Sequence, residues 1–273
     1  MDEKKLGKAR ITITLRQELL PLIDRFVDGD KIRNRSHAIE YILGQHLGLG
    51  IQHVVIFAGA DPETKAVTAL TRVKNRPVIA YLFDMLKASG IRDVIMVIDE
   101  HGEELKEYLG DGVQWGVQMR YVEDKEGKGT AHALKLAKPY IKETFLLIYS
   151  DALADINLND FVEHHQQGDS LGTVALTYIR TAGDYGVARM EGNKVMVFEE
   201  KPGQEGRHGL VNAGMYLFEP AVFDYIKEGA VSLENDVLPN IATDAQLTGY
   251  PFHGKWFDIS KKAGRILAEK EWR

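Results

Sequence analysis

From His53 to Tyr149 the chain alternates short, wholly apolar runs with stretches of helical spacing, and that rhythm leaves few folds open. Val54–Phe57, Val94–Ile98, Met119–Val122 and Phe145–Tyr149 read as strands, with helices expected over Val78–Lys87, Glu103–Leu109 and Ala131–Ala137. Strands that are apolar on both faces need cover on both faces, and strands separated by a helix pair in parallel. The expectation is therefore an α/β fold with a mostly parallel sheet between two helical layers. Such sheets bind ligands beyond the C-terminal ends of their strands. The most apolar strand runs straight into Ser150-Asp151, and a second Asp-bearing strand, Trp256-Phe257-Asp258-Ile259, comes much later. Two carboxylates at one mouth would suit a hard divalent cation holding phosphates. After Asp151 the pattern shifts to hairpin-like strands around glycine turns. No repeat of any period follows, so no appended β-helix is expected.

The first 48 residues are written differently. Ile11, Ile13 and Leu15 alternate with Arg10, Thr12 and Thr14, the pattern of a two-faced strand. Leu19, Leu20, Leu22, Ile23 and Phe26 recur at helical spacing up to Asp28-Gly29-Asp30. Asn34-Arg35-Ser36 then offers caps for a second helix, Ala38–His46. A strand and two short helices are too small to bury a core alone, which points to pairing with a second copy. This order resembles the ribbon-helix-helix DNA-binding domains over roughly residues 8–48. The resemblance implies that Arg10, Thr12 and Thr14 face bases and that Ser36, at a helix start, lies near a phosphate. The plainer alternative is a dimerisation arm with a solvated polar face. Leu47-Gly48-Leu49-Gly50 reads as a hinge, giving domains 1–48 and 49–273.

Charge divides along the same boundary. The net charge is −6, yet residues 1–48 carry nine Lys/Arg against seven Asp/Glu, leaving 25 against 33 for the remainder. DNA, if it is met at all, is met by the front segment. The chain has no cysteine, which removes disulfides and thiolate chemistry and fits a cytoplasmic location. No apolar run approaches the length of a membrane span, so no membrane partner is expected.

Taken singly, Gly129-Thr130 reads as a helix start, Glu200-Lys201 as a surface pair and Asp258 as a turn former. As an ordered set they say more. Asn75-Arg76-Pro77, Gly129-Thr130-Ala131, Ser150-Asp151, Tyr185-Gly186-Val187, Glu199-Glu200-Lys201-Pro202, Asn212-Ala213-Gly214 and Trp256-Phe257-Asp258-Ile259 follow one another along residues 53–270. This set resembles the sugar-1-phosphate nucleotidylyltransferases, the nucleoside-diphosphate-sugar pyrophosphorylases. The resemblance implies their Rossmann-like nucleotide-diphospho-sugar transferase fold. It implies that Gly129 and Thr130 seat the nucleobase and that Tyr185 and Gly186 border the sugar, together with Asn212. Glu200 would accept sugar hydroxyls, Lys201 would pair with the sugar phosphate, and Asp151 and Asp258 would share Mg²⁺. The substrates implied are a sugar 1-phosphate and a nucleoside triphosphate, or the nucleotide sugar they form.

One segment departs from that family's pattern. Where the family has a glycine-rich loop whose amides cradle the triphosphate, this chain has Ala58-Gly59-Ala60-Asp61-Pro62-Glu63-Thr64-Lys65, and the segment is shorter. Ala60 replaces a glycine, Pro62 removes a donor, and Asp61 and Glu63 bring negative charge. Lys65, Arg72 or Lys74 could supply the missing cation, with Lys65 favoured. Two functions are therefore expected: a nucleotidyltransferase with a degenerate phosphate loop, or a DNA-binding regulator that senses a sugar phosphate or nucleotide sugar. An assembly scaffold is a third.

Overall fold

A computed structural model describes residues 10–29, 32–47, 50–60, 65–203 and 208–272, with backbone alone for 44–47. The chain divides into two compact units, Met1–Leu49 and Gly50–Arg273. Gly48 and Leu49 of the expected hinge lie outside the described residues, as do Asp61, Pro62, Glu63 and Thr64 of the phosphate loop. Among the described residues no helix is long and apolar enough to cross a membrane.

In the first unit a short 3-10 turn leads into α1 (Leu20–Asp24), and α2 spans Arg35–Leu47. The second helix begins three residues earlier than its apolar pattern suggests. The Asn34 side chain accepts the His37 amide at 2.9 Å, so the cap rather than the first apolar residue sets the start. Asp24 and Arg35 join the helices through two hydrogen bonds of 2.6 and 2.8 Å. The expected strand Arg10–Leu15 is not one in this single chain: the segment carries no ladder partner. A ribbon edge forms only against another strand, and one copy supplies none.

The second unit follows the alternation closely: β1 (His53–Phe57), the hairpin β2 (Arg72–Val73) and β3 (Arg76–Pro77), α3 (Val78–Ala88), β4 (Asp93–Ile98), α4 (Glu103–Leu109), β5 (Gln118–Glu123), α5 (Thr130–Ala137), β6 (Phe145–Tyr149), β7 (Ala152–Ala154) and α6 (Leu158–Gln167). There follow β8 (Gly172–Ile179), β9 (Val187–Glu191), β10 (Lys194–Glu199), β11 (Gly209–Phe218), α7 (Leu238–Thr243), β12 (Leu247–Pro251), β13 (Trp256–Asp258) and α8 (Lys262–Glu271).

Nine strands form one sheet in the order β5-β4-β1-β6-β11-β8-β12-β10-β9. The first four are parallel. The other half is mixed: β8 and β12 are parallel, while β11 runs antiparallel to both β6 and β8, and β10 antiparallel to β9 and β12. Between β9 and β10 the reversal is a hairpin, turned through Gly192 at φ +60°. Alternate residues of each central strand enter opposite cores. Val54, Ile56, Leu146 and Ile148 pack with Phe83 and Phe161, while Val55, Phe145 and Leu147 pack with Leu134 and Ile241. The four parallel strands all end on one side, at Ala58, Asp99, Asp124 and Ser150.

Candidate active site

Asp151 and Asp258 are brought together by a small ladder of their own. Strands β7 and β13 pair antiparallel with Asp258 opposite Ala152, and the Ile259 amide donates to the Asp151 carbonyl at 2.7 Å. The Asp151 carboxyl is pushed up to about 6, first by burial and then by the charge of Asp258. The two carboxyls are thus close enough for the charge of one to raise the other. Asp258 Oδ1 accepts from the Ser260 amide at 3.0 Å and the Ser260 hydroxyl at 2.5 Å, and Oδ2 lies 3.8 Å from Lys261 Nζ. No group of three or more His, Asp or Glu able to hold a metal ion occurs among the described residues. Two hard oxygens with mutual repulsion to relieve do fit Mg²⁺, which usually takes one or two carboxylates and leaves its other positions to water and phosphate.

The next group lies along β11. A bulge between Asn212 and Tyr216, with Gly214 at φ +75°, turns the strand and sets Asn212 at the mouth. The Asn212 amide donates to Gly186 O at 2.8 Å, and its side chain to the Tyr216 hydroxyl at 2.5 Å. A Cβ on Gly186 would stand 2.7 Å from Glu200 Oε2, so the sequence needs glycine for Glu200 to approach. Burial raises the Glu200 carboxyl, as does the nearby Glu234, while Lys201 and Lys261 oppose the rise. Lys201 Nζ lies 3.7 Å from Glu200 Oε1 and remains largely exposed. Tyr185 stands edge-on to Trp256, close enough to Asp258 to feel its charge. Burial and that carboxylate raise its proton affinity. Tyr185 thus ties the aspartate pair to its own neighbour Gly186, which bonds Asn212 and packs against Glu200.

Gly129 and Thr130 start α5. Gly129 holds φ +95°, and a side chain there would collide with the Val231 carbonyl. Thr130 Oγ1 donates to Glu234 Oε2 at 3.1 Å. Glu234 is the residue that the sequence pattern missed. It is buried and accepts from Tyr149 at 2.5 Å, Tyr216 at 3.3 Å and Ser232 at 2.9 Å. Burial, with Glu234 beside them, raises both tyrosines. Nothing in Ser232-Leu233-Glu234 separates it from an ordinary helix start, and only the fold shows what it touches.

At the end of β1 the Ala60 amide donates to Asp99 Oδ2 at 2.6 Å, and the His101 amide to Asp99 Oδ1 at 2.9 Å. An internal carboxylate thus holds a donor of the loop expected to cradle phosphate. Lys65, at φ +59°, lines a cavity of about 290 Å³ with Ala60, Asp99, His101, Asp124 and Lys125. Arg72 is committed elsewhere, donating to Asn75 O of its own hairpin at 2.8 Å, whose turn contains Lys74 at φ +51°. In the separate first unit, Arg10, Thr12, Thr14 and Ser36 are all exposed.

Residues 63–266 match the nucleotidyl transferase family. The chain belongs to that family. Among its relatives, the zebrafish (Danio rerio) mannose-1-phosphate guanylyltransferase catalytic subunit beta is 31% identical over 193 residues, which are 68% of this chain and 53% of that one. A UTP–glucose-1-phosphate uridylyltransferase of Synechocystis is 28% identical over 235 residues, 76% of this chain and 60% of its own. The chain thus spans little more than half the length of these relatives. Two solved structures share the nucleotidyl transferase fold. HddC from Yersinia pseudotuberculosis has a TM-score of 0.70 at 20% identity, covering 82% of this chain and all of that one. UDP-glucose pyrophosphorylase complexed with UDP-glucose has 0.69 at 20%, covering 81% and 98%. The described cleft, with its aspartate pair and Gly129-Thr130 turn, lies within the matched residues.

Proposed function

We propose that residues 50–273 act as a sugar-1-phosphate nucleotidylyltransferase whose hold on the triphosphate is weakened. The observation that carries this reading is the ladder pairing that sets Asp258 beside Asp151. In the reaction an oxygen of the sugar 1-phosphate attacks the α-phosphate of a nucleoside triphosphate and pyrophosphate leaves. Asp151 and Asp258 would hold Mg²⁺, which when bound polarises phosphoryl oxygens and offsets their charge. Glu200 accepts sugar hydroxyls, Lys201 pairs with the sugar phosphate, and Gly129 gives the base a close approach. Lys65 would be the cation that meets the outgoing phosphates. Catalysis is then positioning and electrostatics, with no covalent role for the protein.

A second reading is favoured by one contact, the Asp99 carboxylate on the Ala60 amide. A domain that keeps its sugar end but blocks a phosphate donor would serve a regulator, binding a sugar phosphate or nucleotide sugar without turnover. The exposed Ile11 (69%) and Ile13 (46%) are apolar surface that a second copy would cover. We infer a dimer through a ribbon-helix-helix arm, with Arg10, Thr12 and Thr14 meeting DNA. A pyrophosphate-release assay across nucleoside triphosphates and common sugar 1-phosphates tests the transferase. Turnover with any pair supports the enzyme, and none across the panel leaves the regulator.

A further inference from the structure

Lys261 belongs to none of the motifs above, and in sequence it is the first of two lysines before a surface helix, Lys261-Lys262. The fold sets it apart. Its Nζ lies 3.5 Å from the centre of the Tyr185 ring, 3.8 Å from Asp258 Oδ2 and 4.0 Å from Asp184 Oδ2. The nitrogen is buried, yet it forms no hydrogen bond among the described residues. An ammonium has three N–H donors, and burying them unused is costly unless something else accepts them.

The surroundings hold the ammonium in place without satisfying it. The Tyr185 ring attracts it through its face, and the two carboxylates lie beyond hydrogen-bond range. The turn beneath is fixed: Arg265 donates to the carbonyls of Ile259 and Ser260 at 3.2 and 3.3 Å, and the Arg265 amide to Lys261 O at 3.1 Å. Through Asp258 the ammonium borders the aspartate pair, and through Tyr185 it borders the sugar residues. A ligand oxygen meets free donors once the side chain turns out of its buried place over the Tyr185 ring. An anionic one also offsets the positive charge, which a neutral hydroxyl cannot do.

We propose that Lys261 is a phosphate-binding residue, receiving the phosphoryl group of a sugar 1-phosphate opposite Lys201. This rests on the sugar-phosphate reading given above. A neutral sugar would gain little from an ammonium at this position, whereas a phosphate crossing a site with Asp151, Asp258 and Glu200 needs every cation available. The alternative is that Lys261 only balances the charge of Asp258.

Calorimetry with Mg²⁺ on the full chain separates these. The probes are α-D-glucose 1-phosphate and α-D-mannose 1-phosphate, with the two free sugars and inorganic phosphate as controls. Lys261→Met is expected to weaken both sugar phosphates tenfold or more while changing free-sugar affinity less than twofold, and Lys261→Arg to recover most of the loss. Thermal melts of each variant check the fold. Equal losses for sugar and sugar phosphate, or no loss for either, overturn the role of Lys261 and leave the transferase reading standing. A wild-type chain that binds neither sugar phosphate overturns both together.

Discussion

The backbone amide of Ala60 and the carboxylate of Asp99 are 2.6 Å apart, and this one contact joins the end of β1 to the end of β4. A hydrogen bond to a charged acceptor is worth about 1.5–3 kcal/mol, and the carboxylate also repels incoming phosphate. Asp99→Ala is expected to raise nucleoside triphosphate affinity about tenfold, measured by calorimetry with Mg²⁺. In the unmodified chain, sugar phosphate or nucleotide sugar should bind more tightly than any free triphosphate. Equal triphosphate affinity in Asp99→Ala and wild type would remove Asp99 from the account. If triphosphate binds the wild type at low micromolar strength and turns over, Lys65 has replaced the missing cations, and Lys65→Ala should abolish that turnover.

The aspartate pair predicts a metal dependence. Asp151→Asn and Asp258→Asn each keep the shape of the side chain and remove one anionic oxygen donor. Both are expected to lower turnover by about a thousandfold or more, the scale of losing a principal electrostatic group. Both should also lose the rise in melting temperature that Mg²⁺ gives the wild type. A variant that keeps the full Mg²⁺ shift would show that the metal binds elsewhere.

Acid should destabilise the second unit through His165. Its ring is buried between Thr173 Oγ1 at 2.7 Å and Glu219 at 3.2 Å, and burial holds its proton affinity below the usual histidine value of 6.5. A depressed folded value means the stabilising contribution is complete above 6.5 and is lost as pH falls through the folded value. One such group steepens the fall by up to about 1.4 kcal/mol per pH unit. His164 is shifted the same way by burial and adds to the slope. Scanning calorimetry between pH 7 and 5 should show a shallower decline in His165→Gln. An unchanged slope would assign the acid sensitivity to other groups.

Ile11→Glu with Ile13→Glu should yield monomers in light scattering at micromolar concentration, where the parent chain gives a dimer or a multiple of dimers. Removing residues 1–49 should have the same effect and leave a folded second unit. If the parent is itself monomeric, the paired arm is wrong. DNA binding, where present, should fall steeply with salt and disappear in Arg10→Ala.

What the sequence could convey depended on how far each signal reaches. Strands β1, β4 and β6 were legible because burial on both faces leaves a continuous apolar run, and β6 was found to its last residue, whereas the two-residue strands β2 and β3 are too short to leave a pattern. The antiparallel direction of β11 was hidden because it depends on which distant strands, β6 and β8, it lies between. Asp99 and Glu234 were missed because their partners come from distant segments: Ala60 is 39 residues away and Tyr149 is 85. Lys261 carries no signal in the sequence, where it is one of two adjacent lysines, and only the fold sets it over the Tyr185 ring. In the arm the alternation from Arg10 to Leu15 was plain, but a lone chain cannot form the ladder that alternation suits.

Glu234 makes the cleft a single instrument. Its two carboxylate oxygens accept from Thr130 and Ser232 and from Tyr149 and Tyr216, with Asn212 one bond further, so under the proposed function they link the base end to the sugar end. A ligand that draws Thr130 away changes what the tyrosines can donate to, and one that draws Asn212 away acts back through Tyr216. Linkage then requires that whatever help a bound sugar gives the nucleobase be returned in equal measure. The expected consequence is that a molecule spanning both ends is recognised by its length, and Glu234→Gln should make its two halves bind as strangers.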